Sequence, residues 1–323
     1  MKLKVLLEDF VVYEVPLVRK YEKQGRFSYF ILMKKDYTTI SALKLISKKI
    51  RIPLKYFGFA GNKDRKAITF QLCSVRFAGM RRLEKVSLKG IKVVPVGKGD
   101  SPIRLGDLKG NYFKIVVRDL DKEVEIKERF LLNLFDEQRF GKEGMNAEIG
   151  RLLVKKRFSE AASLIRDKEI EEHLKKNPND YVGALRRIPH QLLKLYVHAY
   201  QSWLWNKCAE NLSKSDLGKD AVVPIIGFGI ELERYPDEIK GAVSKIMQEE
   251  GITLRDFVFH RIPELSASGD DRKLFVKPEI VSYRYENDEL NNGKKKLIIK
   301  FFLPKGCYAT SVVKQLLGFR PLP

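Results

Sequence analysis

Cysteine and histidine are scarce in this sequence, which has three of the first and four of the second among 323 residues. Cys73, Cys208 and Cys307 lie far apart and form no CxxC pair, so neither a disulfide framework nor a zinc site is expected. The histidines show no HExxH or HxH spacing, and we interpret them as surface or structural residues. The sequence therefore predicts a protein without a bound metal.

The glycine-rich signatures of several enzyme classes are also missing. The chain contains no GxxxxGK[ST] phosphate loop, no GxGxxG dinucleotide fingerprint and no GxSxG nucleophile elbow. The segment 96–100 is rich in glycine but lacks the spacing of a phosphate loop. These absences argue against a P-loop nucleotidase, a dinucleotide-dependent enzyme and an α/β-hydrolase.

Long apolar runs are absent as well. No stretch reaches the roughly 18 apolar residues that a membrane-spanning helix needs. The apolar run at the N-terminus, residues 5–7, stops at Glu8-Asp9 and is too short for the core of a signal peptide. We therefore expect a cytoplasmic protein that does not associate with membranes.

Acidic residues are too few to balance the basic ones. The chain has 62 lysines and arginines against 41 aspartates and glutamates, which gives a formal net charge of +21. An excess of this size favours a polyanionic partner, and nucleic acid is the most common one. An anionic membrane surface is less favoured, because we find no basic amphipathic segment with a strong apolar face.

The pattern along the chain is strand-rich, then helix-rich, then strand-rich again. Apolar spacings of three and four predict a helix over 38–50 that is capped by Thr38 or Thr39. Further helices are predicted over 124–135, 147–156, 159–166, 190–212 and 236–250. Strands are predicted over 10–15, 27–34, 67–75, 91–96, 112–117, 279–285 and 296–303. This order predicts an α+β fold, with a helix-rich insertion in a sheet domain formed by both ends of the chain.

One short stretch combines a glycine with concentrated charge. The segment 59–71 reads FAGNKDRKAITFQ and places Asp64 among Lys63, Arg65 and Lys66. Neighbouring cations favour the ionised form that a carboxylate nucleophile needs, and they would also hold a polyanion. A solvated surface loop is the alternative, and the charge pattern alone does not exclude it.

This stretch resembles the signature of the tRNA pseudouridine synthase D (TruD) family, G-x-K-D followed by A-x-T-x-Q. Four other segments resemble the family's motifs in the expected order: E-D-F-V-V-x-E at 8–14, R-L-G-x-L-K-G-N-x-F at 104–113, Q-R-F-G at 138–141 and L-P-x-G-x-Y-A-T-S-V-V at 303–313. The resemblance covers nearly the whole chain and is closest to archaeal-type members.

The resemblance implies an isomerase that converts a uridine of RNA, usually tRNA, to pseudouridine. The base leaves C1′, rotates and rejoins through C5, and the reaction needs no cofactor, metal or energy source. Asp64 would be the catalytic carboxylate, which either attacks C1′ or assists proton removal at the sugar. The target uridine would have to leave the helical stack.

The resemblance also implies which charged residues surround Asp64. Lys4, four residues before the E-D-F motif, would pair with the catalytic carboxylate. Lys63 and Arg65 would contact RNA phosphates or the catalytic acid. Glu14 is expected to support the active site or to pair with a cation, and not to carry out chemistry.

Four further residues would hold the base. Phe10 and Tyr308 would stack on it, and Asn111 would read the uracil edge with its amide. Phe113 would pack on the base at the place where most other pseudouridine synthase families have a tyrosine. Without the family, the aromatic residues could equally be core and Asn111 a turn residue.

The implied fold is the pseudouridine synthase catalytic domain, a mixed and mainly antiparallel sheet with flanking helices. Together with the sequence pattern, it predicts a catalytic domain of residues 1–143 and 273–323, interrupted by a TruD-type insertion domain of residues 144–272. We expect a monomer with tRNA as its partner. The alternative function is a non-catalytic basic RNA-binding protein.

Overall fold

The computed structural model describes residues 1–17 and 21–319. The chain divides into two compact units. Unit 1 consists of Met1–Arg129 and Lys277–Ala309, and unit 2 consists of Phe130–Val276 and Thr310–Pro323. The predicted insertion, 144–272, lies within unit 2, and its boundaries stay a prediction.

The strands and helices follow each other in an α+β order. The strands are β1 Phe10–Pro16, β2 Phe27–Lys35, β3 Phe57–Phe59, β4 Ile68–Arg76, β5 Ser87–Leu88, β6 Ile91–Gly99, β7 Leu108–Leu120, β8 Leu131–Leu132, β9 Val222–Ile225, β10 Asp270–Lys273, β11 Phe275–Val276, β12 Glu279–Asn287 and β13 Lys295–Pro304. The helices are α1 Thr39–Ile50, α2 Met80–Glu84, α3 Glu137–Phe140, α4 Met145–Val154, α5 Phe158–Ile165, α6 Lys168–Lys176, α7 Tyr181–Leu185, α8 His190–Asn211, α9 Asp237–Glu250 and α10 Ala309–Leu316.

Unit 1 is built on one large sheet that contains strands from both ends of the chain. Its order is β12-β13-β7-β1-β4-β2-β6-β5, and β3 pairs with β4 beside this path. β1 and β4 pair in parallel, whereas the other neighbouring strands pair antiparallel. The predicted α+β fold with a mixed, mainly antiparallel sheet is confirmed.

Alternation along the strands gives this sheet two different faces. The front face carries Phe10 and Glu14 of β1, and the back face carries Tyr13 between them. Strand register places these residues on the front face as well: Asn111, Phe113, Thr69 and Lys34. The back face also carries Phe70, Tyr112, Phe302, Lys114 and Lys300.

Helix α1 covers part of the front face. The Thr38 hydroxyl accepts a hydrogen bond from Ser41 N and caps the helix, as predicted, and Arg51 ends it in a left-handed conformation. Leu43 and Ile46 are fully buried in a cluster with Phe30, on the strand β2. Each such side chain contributes about 1.5–3 kcal/mol by leaving water, which fixes α1 beside the end of β4.

The predicted helix over 124–135 is wrong. Residues 121–130 form no helix or strand, and only Leu131–Leu132 is a short strand. The Tyr285 hydroxyl bonds to both the backbone N–H and the carbonyl of Val124, and the Glu128 carboxylate accepts from Ile280 N. The Tyr285 hydroxyl on β12 thereby satisfies both backbone polar groups of Val124 without a helix.

Unit 2 is organised around α8, the longest helix among the described residues. Leu193, Tyr200 and Leu204 of this helix are buried. Trp205 is fully buried as well, and its indole N–H donates to the Val223 carbonyl at 3.1 Å. Of the helices in the described residues, none combines the length and apolar character needed to cross a membrane.

Candidate active site

Asp64 lies in the loop between β3 and β4, at the front face of the unit 1 sheet. Its side chain is 49% exposed, and its Oδ2 atom lies 2.6 Å from the ammonium of Lys4. The Lys4 side chain is buried, and its backbone has a φ of 54°, which residues other than glycine rarely adopt. The structure thus brings together the two residues predicted to be catalytic, and their roles stay a prediction.

Lys34 is a third residue at this site, and sequence reasoning missed it. It is fully buried on β2, and its ammonium donates a hydrogen bond to the backbone carbonyl of Asp64 at 2.7 Å. Burial lowers the pKa of Lys34 to about 8, against the opposing effect of the Asp64 charge. The available signal was a lysine in the run FSYFILMKK at the spacing of the core residues Phe30 and Leu32.

A small hydrogen-bond network fixes the loop that carries Asp64. The Gln71 amide donates to the Gly61 carbonyl at 3.1 Å, and its oxygen accepts from the Thr39 hydroxyl at 2.9 Å. The Thr39 hydroxyl in turn accepts from the backbone N–H of Lys63 at 3.0 Å. The loop is therefore held by β4 and by the first turn of α1, which limits the positions open to Asp64.

Lys63 and Glu14 form an ion pair under the loop. Lys63 Nζ lies 2.6 Å from Glu14 Oε2, and both side chains are buried. The other Glu14 oxygen accepts from Leu72 N at 3.2 Å. Burial raises the pKa of Glu14, and the Lys63 charge acts in the opposite direction. This arrangement favours a supporting role for Lys63, and its predicted phosphate contact stays a prediction.

Arg65 differs from Lys63 in its surroundings. Its guanidinium is exposed at the rim of the site and pairs with Asp36, with Nε 3.1 Å from Oδ1. An exposed ion pair of this kind contributes about 0–1 kcal/mol and can be exchanged for another anion. The geometry therefore makes Arg65 better suited to contact a phosphate than Lys63 is.

Phe10 and Phe113 lie on the front face beside Lys4. Their rings meet edge to face with centroids 6.0 Å apart, and Phe113 also stacks on Phe301 at 5.5 Å. The Lys4 ammonium lies 4.2 Å from the centroid of the Phe10 ring. Both phenylalanines are largely buried, so they form a fixed apolar surface next to the Lys4–Asp64 pair.

Asn111 is opposite Glu14 in the pairing of β7 with β1. Its Oδ1 atom is buried and has no hydrogen-bond partner among the described residues. A buried acceptor without a partner costs about 1–3 kcal/mol, so it stands out as an atom that a ligand could satisfy. The Thr69 hydroxyl, on the same face, is in the same condition.

Tyr308 is half-buried in the segment between β13 and α10. Its predicted stacking on the base stays a prediction. In the part of the chain that the structure describes, no group of three or more His, Cys, Asp or Glu side chains is arranged to hold a metal ion.

A crystal structure has the same fold. It is that of a Methanosarcina mazei protein described as tRNA pseudouridine synthase D (TruD), and it superimposes with a TM-score of 0.73. The match covers 99% of this chain and 94% of that one at 24% sequence identity. The likeness establishes that the two proteins share a fold.

Sequence comparisons then identify the family. The family model for tRNA pseudouridine synthase D (TruD) matches residues 1–172, 163–223 and 209–316. A tRNA pseudouridine synthase D of Aquifex aeolicus is 30% identical, with 98% of this chain and 97% of the relative covered. A Thermococcus sibiricus protein, named a probable tRNA pseudouridine synthase D, is 29% identical over 98% of this chain and 94% of its own length. The chain belongs to the TruD family.

Proposed function

We propose that Asp64 is the carboxylate with which this chain isomerises a uridine of tRNA to pseudouridine. As a member of the TruD family, the chain is a tRNA pseudouridine synthase, an isomerase. The observation that carries the assignment to Asp64 is its half-exposed carboxylate, held at 2.6 Å by the buried Lys4 ammonium. A charge-assisted hydrogen bond of this length orients the carboxylate and leaves it accessible to a ribose.

The reaction conserves atoms and electrons. The bond between C1′ and N1 breaks, the uracil rotates, and a bond between C1′ and C5 forms. N1 takes up a proton, and the C5 proton is released to water. Asp64 acts either as the nucleophile at C1′, with its ester bond broken when C5 attacks, or as the base that removes a sugar proton and later returns it. Lys4 and Lys34 hold Asp64 in place for both routes.

Asn111 suits the role of recognising the uracil. Its unpaired Oδ1 can accept the N3–H of the base, and the same amide can donate to a neighbouring carbonyl. Phe10 and Phe113 supply an apolar surface for the ring, and Arg65 at the rim can reach a phosphate. An extruded uridine would therefore meet a stacking surface, an edge reader and a carboxylate on one face of one sheet.

We further propose that the protein works as a monomer in the cytoplasm. The predicted site draws its residues from one chain, and in fact from unit 1 alone. The cytoplasm is where a mature tRNA would meet the enzyme. Other RNAs with a suitably exposed uridine are included in this proposal.

The reaction is tested with tRNA transcripts labelled with tritium at C5 of uridine. The wild-type protein should release tritium, and digestion to nucleosides should yield pseudouridine in the same molar amount. Tight binding of the transcripts with neither tritium release nor pseudouridine would contradict the proposal and favour the non-catalytic RNA-binding alternative.

A further inference from the structure

The back face of the unit 1 sheet carries a row of aromatic side chains that the catalytic site does not use. The row has one residue on each of four neighbouring strands, and each residue is directly paired with the next: Phe70 on β4, Tyr13 on β1, Tyr112 on β7 and Phe302 on β13. We call these four residues the aromatic ladder. Tyr13 and Tyr112, in its centre, are 46% and 45% exposed.

The rings of the ladder are ordered against each other. Tyr13 and Phe70 stack with centroids 4.6 Å apart and planes 8° from parallel, and Tyr112 meets Phe302 at 5.2 Å. Gly110 makes room for the Phe302 ring, because a Cβ at this glycine would lie 2.5 Å from Cζ of that ring. The ladder is thus a preformed set of aromatic surfaces about four strands wide, or roughly 15 Å at the usual strand spacing.

Lysines border the ladder in an arrangement that costs stability. Lys114 and Lys300 are directly opposite each other on β7 and β13, next to the central part of the ladder on the same face. Like charges in this position repel each other. Within residues 1–17 and 21–319, neither ammonium forms an ion pair or hydrogen bond. Lys92 of β6 also lies on the back face. It is paired with Met33 of β2, which is paired with Phe70, so Lys92 lies on the continuation of the aromatic ladder beyond Phe70.

The contrast between the two faces argues that the aromatic ladder is neither part of the core nor a set of unrelated exposed side chains. On β1, Phe10 and Val12 of the front face are buried, whereas Tyr13, which follows Val12 and lies on the back face, is exposed. Aromatic surfaces beside unpaired ammonium groups match the chemistry of unpaired nucleotides, whose bases stack on rings and whose phosphates take lysine. An acidic protein partner would satisfy the lysines but would not need ordered, exposed rings.

We propose that the aromatic ladder, with Lys114 and Lys300, binds single-stranded RNA on the face of the sheet opposite Asp64. Bases stack on Tyr13 and Tyr112, and phosphates lie against the two lysines. This surface would hold an unpaired segment of RNA that is not the nucleotide being isomerised. The proposal does not depend on Asp64 and can fail or hold independently of the proposed reaction.

The test measures binding of a fluorescent 12-nucleotide oligocytidylate, which contains no uridine. Tyr13→Ala/Tyr112→Ala should raise the dissociation constant about tenfold or more, because each base–ring contact contributes substantially to single-strand binding. Tyr13→Phe/Tyr112→Phe keeps the rings and should bind as the wild type does. Tyr283→Ala removes a tyrosine of similar exposure elsewhere in the sheet and should also leave binding unchanged.

The lysines give a second, independent readout. Lys114→Gln/Lys300→Gln should lower the slope of log affinity against log salt by about 1.4, since each neutralised phosphate of a single strand contributes about 0.7.

Three results would overturn the proposal. One is equal binding by the wild type and Tyr13→Ala/Tyr112→Ala. Another is binding of a 12-base-pair RNA duplex as tight as that of the single strand, which would indicate general phosphate attraction. The third is competition by polyglutamate as effective as that by unlabelled oligocytidylate, which would indicate an acidic protein as the partner.

Discussion

At the level of single residues, the candidate site consists of Asp64 and two lysines that bind different atoms of it. Lys4 binds the side chain of Asp64, and Lys34 binds its backbone carbonyl. The motif pointed to Asp64, and the resemblance pointed to Lys4 by position. Lys34 could not be found in this way, because its partner is a main-chain oxygen 30 residues away that only the folded sheet brings near.

Removing the Lys4 ammonium should affect the reaction more than the fold. We expect Lys4→Met to lower kcat about 100-fold, as the loss of one charged hydrogen-bond partner does in other active sites. Steady-state tritium release from labelled tRNA at saturating concentration measures this. Lys2→Met, a change at an exposed lysine nearby, is the matched control. A Lys4→Met protein with normal kcat would contradict the assigned role.

The lowered pKa of Lys34 predicts a pH dependence of stability. Its pKa is about 8 in the folded protein, against 10.5 for an ordinary lysine. Between these values the unfolded chain binds more protons, so the contribution of Lys34 to the free energy of unfolding rises with pH. Relative to Lys34→Met, the wild type should gain about 2 kcal/mol between pH 7 and pH 9.5.

Urea unfolding of both proteins at the two pH values measures this difference. Lys34→Met also removes the hydrogen bond to Asp64, but that loss is present at both pH values and cancels in the comparison. A difference between the two proteins that does not change with pH would show that the pKa of Lys34 is not lowered in the folded protein.

At the scale of the element, the site depends on how β1, β4 and α1 meet. The sequence pattern predicted α1 and its cap correctly, because the apolar spacing and the Thr38 hydroxyl act locally. It failed over 124–135, where the backbone of Val124 bonds to the Tyr285 hydroxyl and the Glu128 carboxylate accepts from Ile280 N. Local propensity cannot anticipate partners that lie more than 150 residues away.

The buried ion pair between Glu14 of β1 and Lys63 of the loop that carries Asp64 predicts the effect of two substitutions. Glu14→Gln leaves the Lys63 ammonium buried without a charge partner and should lower the free energy of unfolding by about 3–5 kcal/mol. Adding Lys63→Met removes the orphaned charge and should recover most of that loss. Urea unfolding at neutral pH measures both variants.

The exposed pair Arg65–Asp36 supplies the control for this experiment. Asp36→Asn should change the free energy of unfolding by no more than about 1 kcal/mol, because water screens an exposed charge. If the double variant were as unstable as Glu14→Gln alone, the ion pair would not be the reason for the loss.

For the whole molecule, the net charge of +21 predicts a polyanionic partner, and the resemblance of the motifs to the TruD family implies an RNA enzyme. The joining of both chain ends in one sheet was also predictable, because the strand patterns at 10–15 and 296–303 flank a helical stretch. The exposure of Tyr13 and Tyr112 was not predictable from the sequence. Both residues lie in strands whose alternation fits either a buried or an exposed face, and only the packing of the sheet decides between them.

We propose above that Asp64 carries out the isomerisation and is not merely part of a basic RNA-binding loop. The most direct measurement compares tritium release from labelled tRNA by the wild type, Asp64→Asn and the control Asp36→Asn, with tRNA affinity measured in parallel. We expect no detectable release by Asp64→Asn, full release by Asp36→Asn, and equal tRNA affinity for all three. Release by Asp64→Asn at the wild-type rate would contradict the proposal.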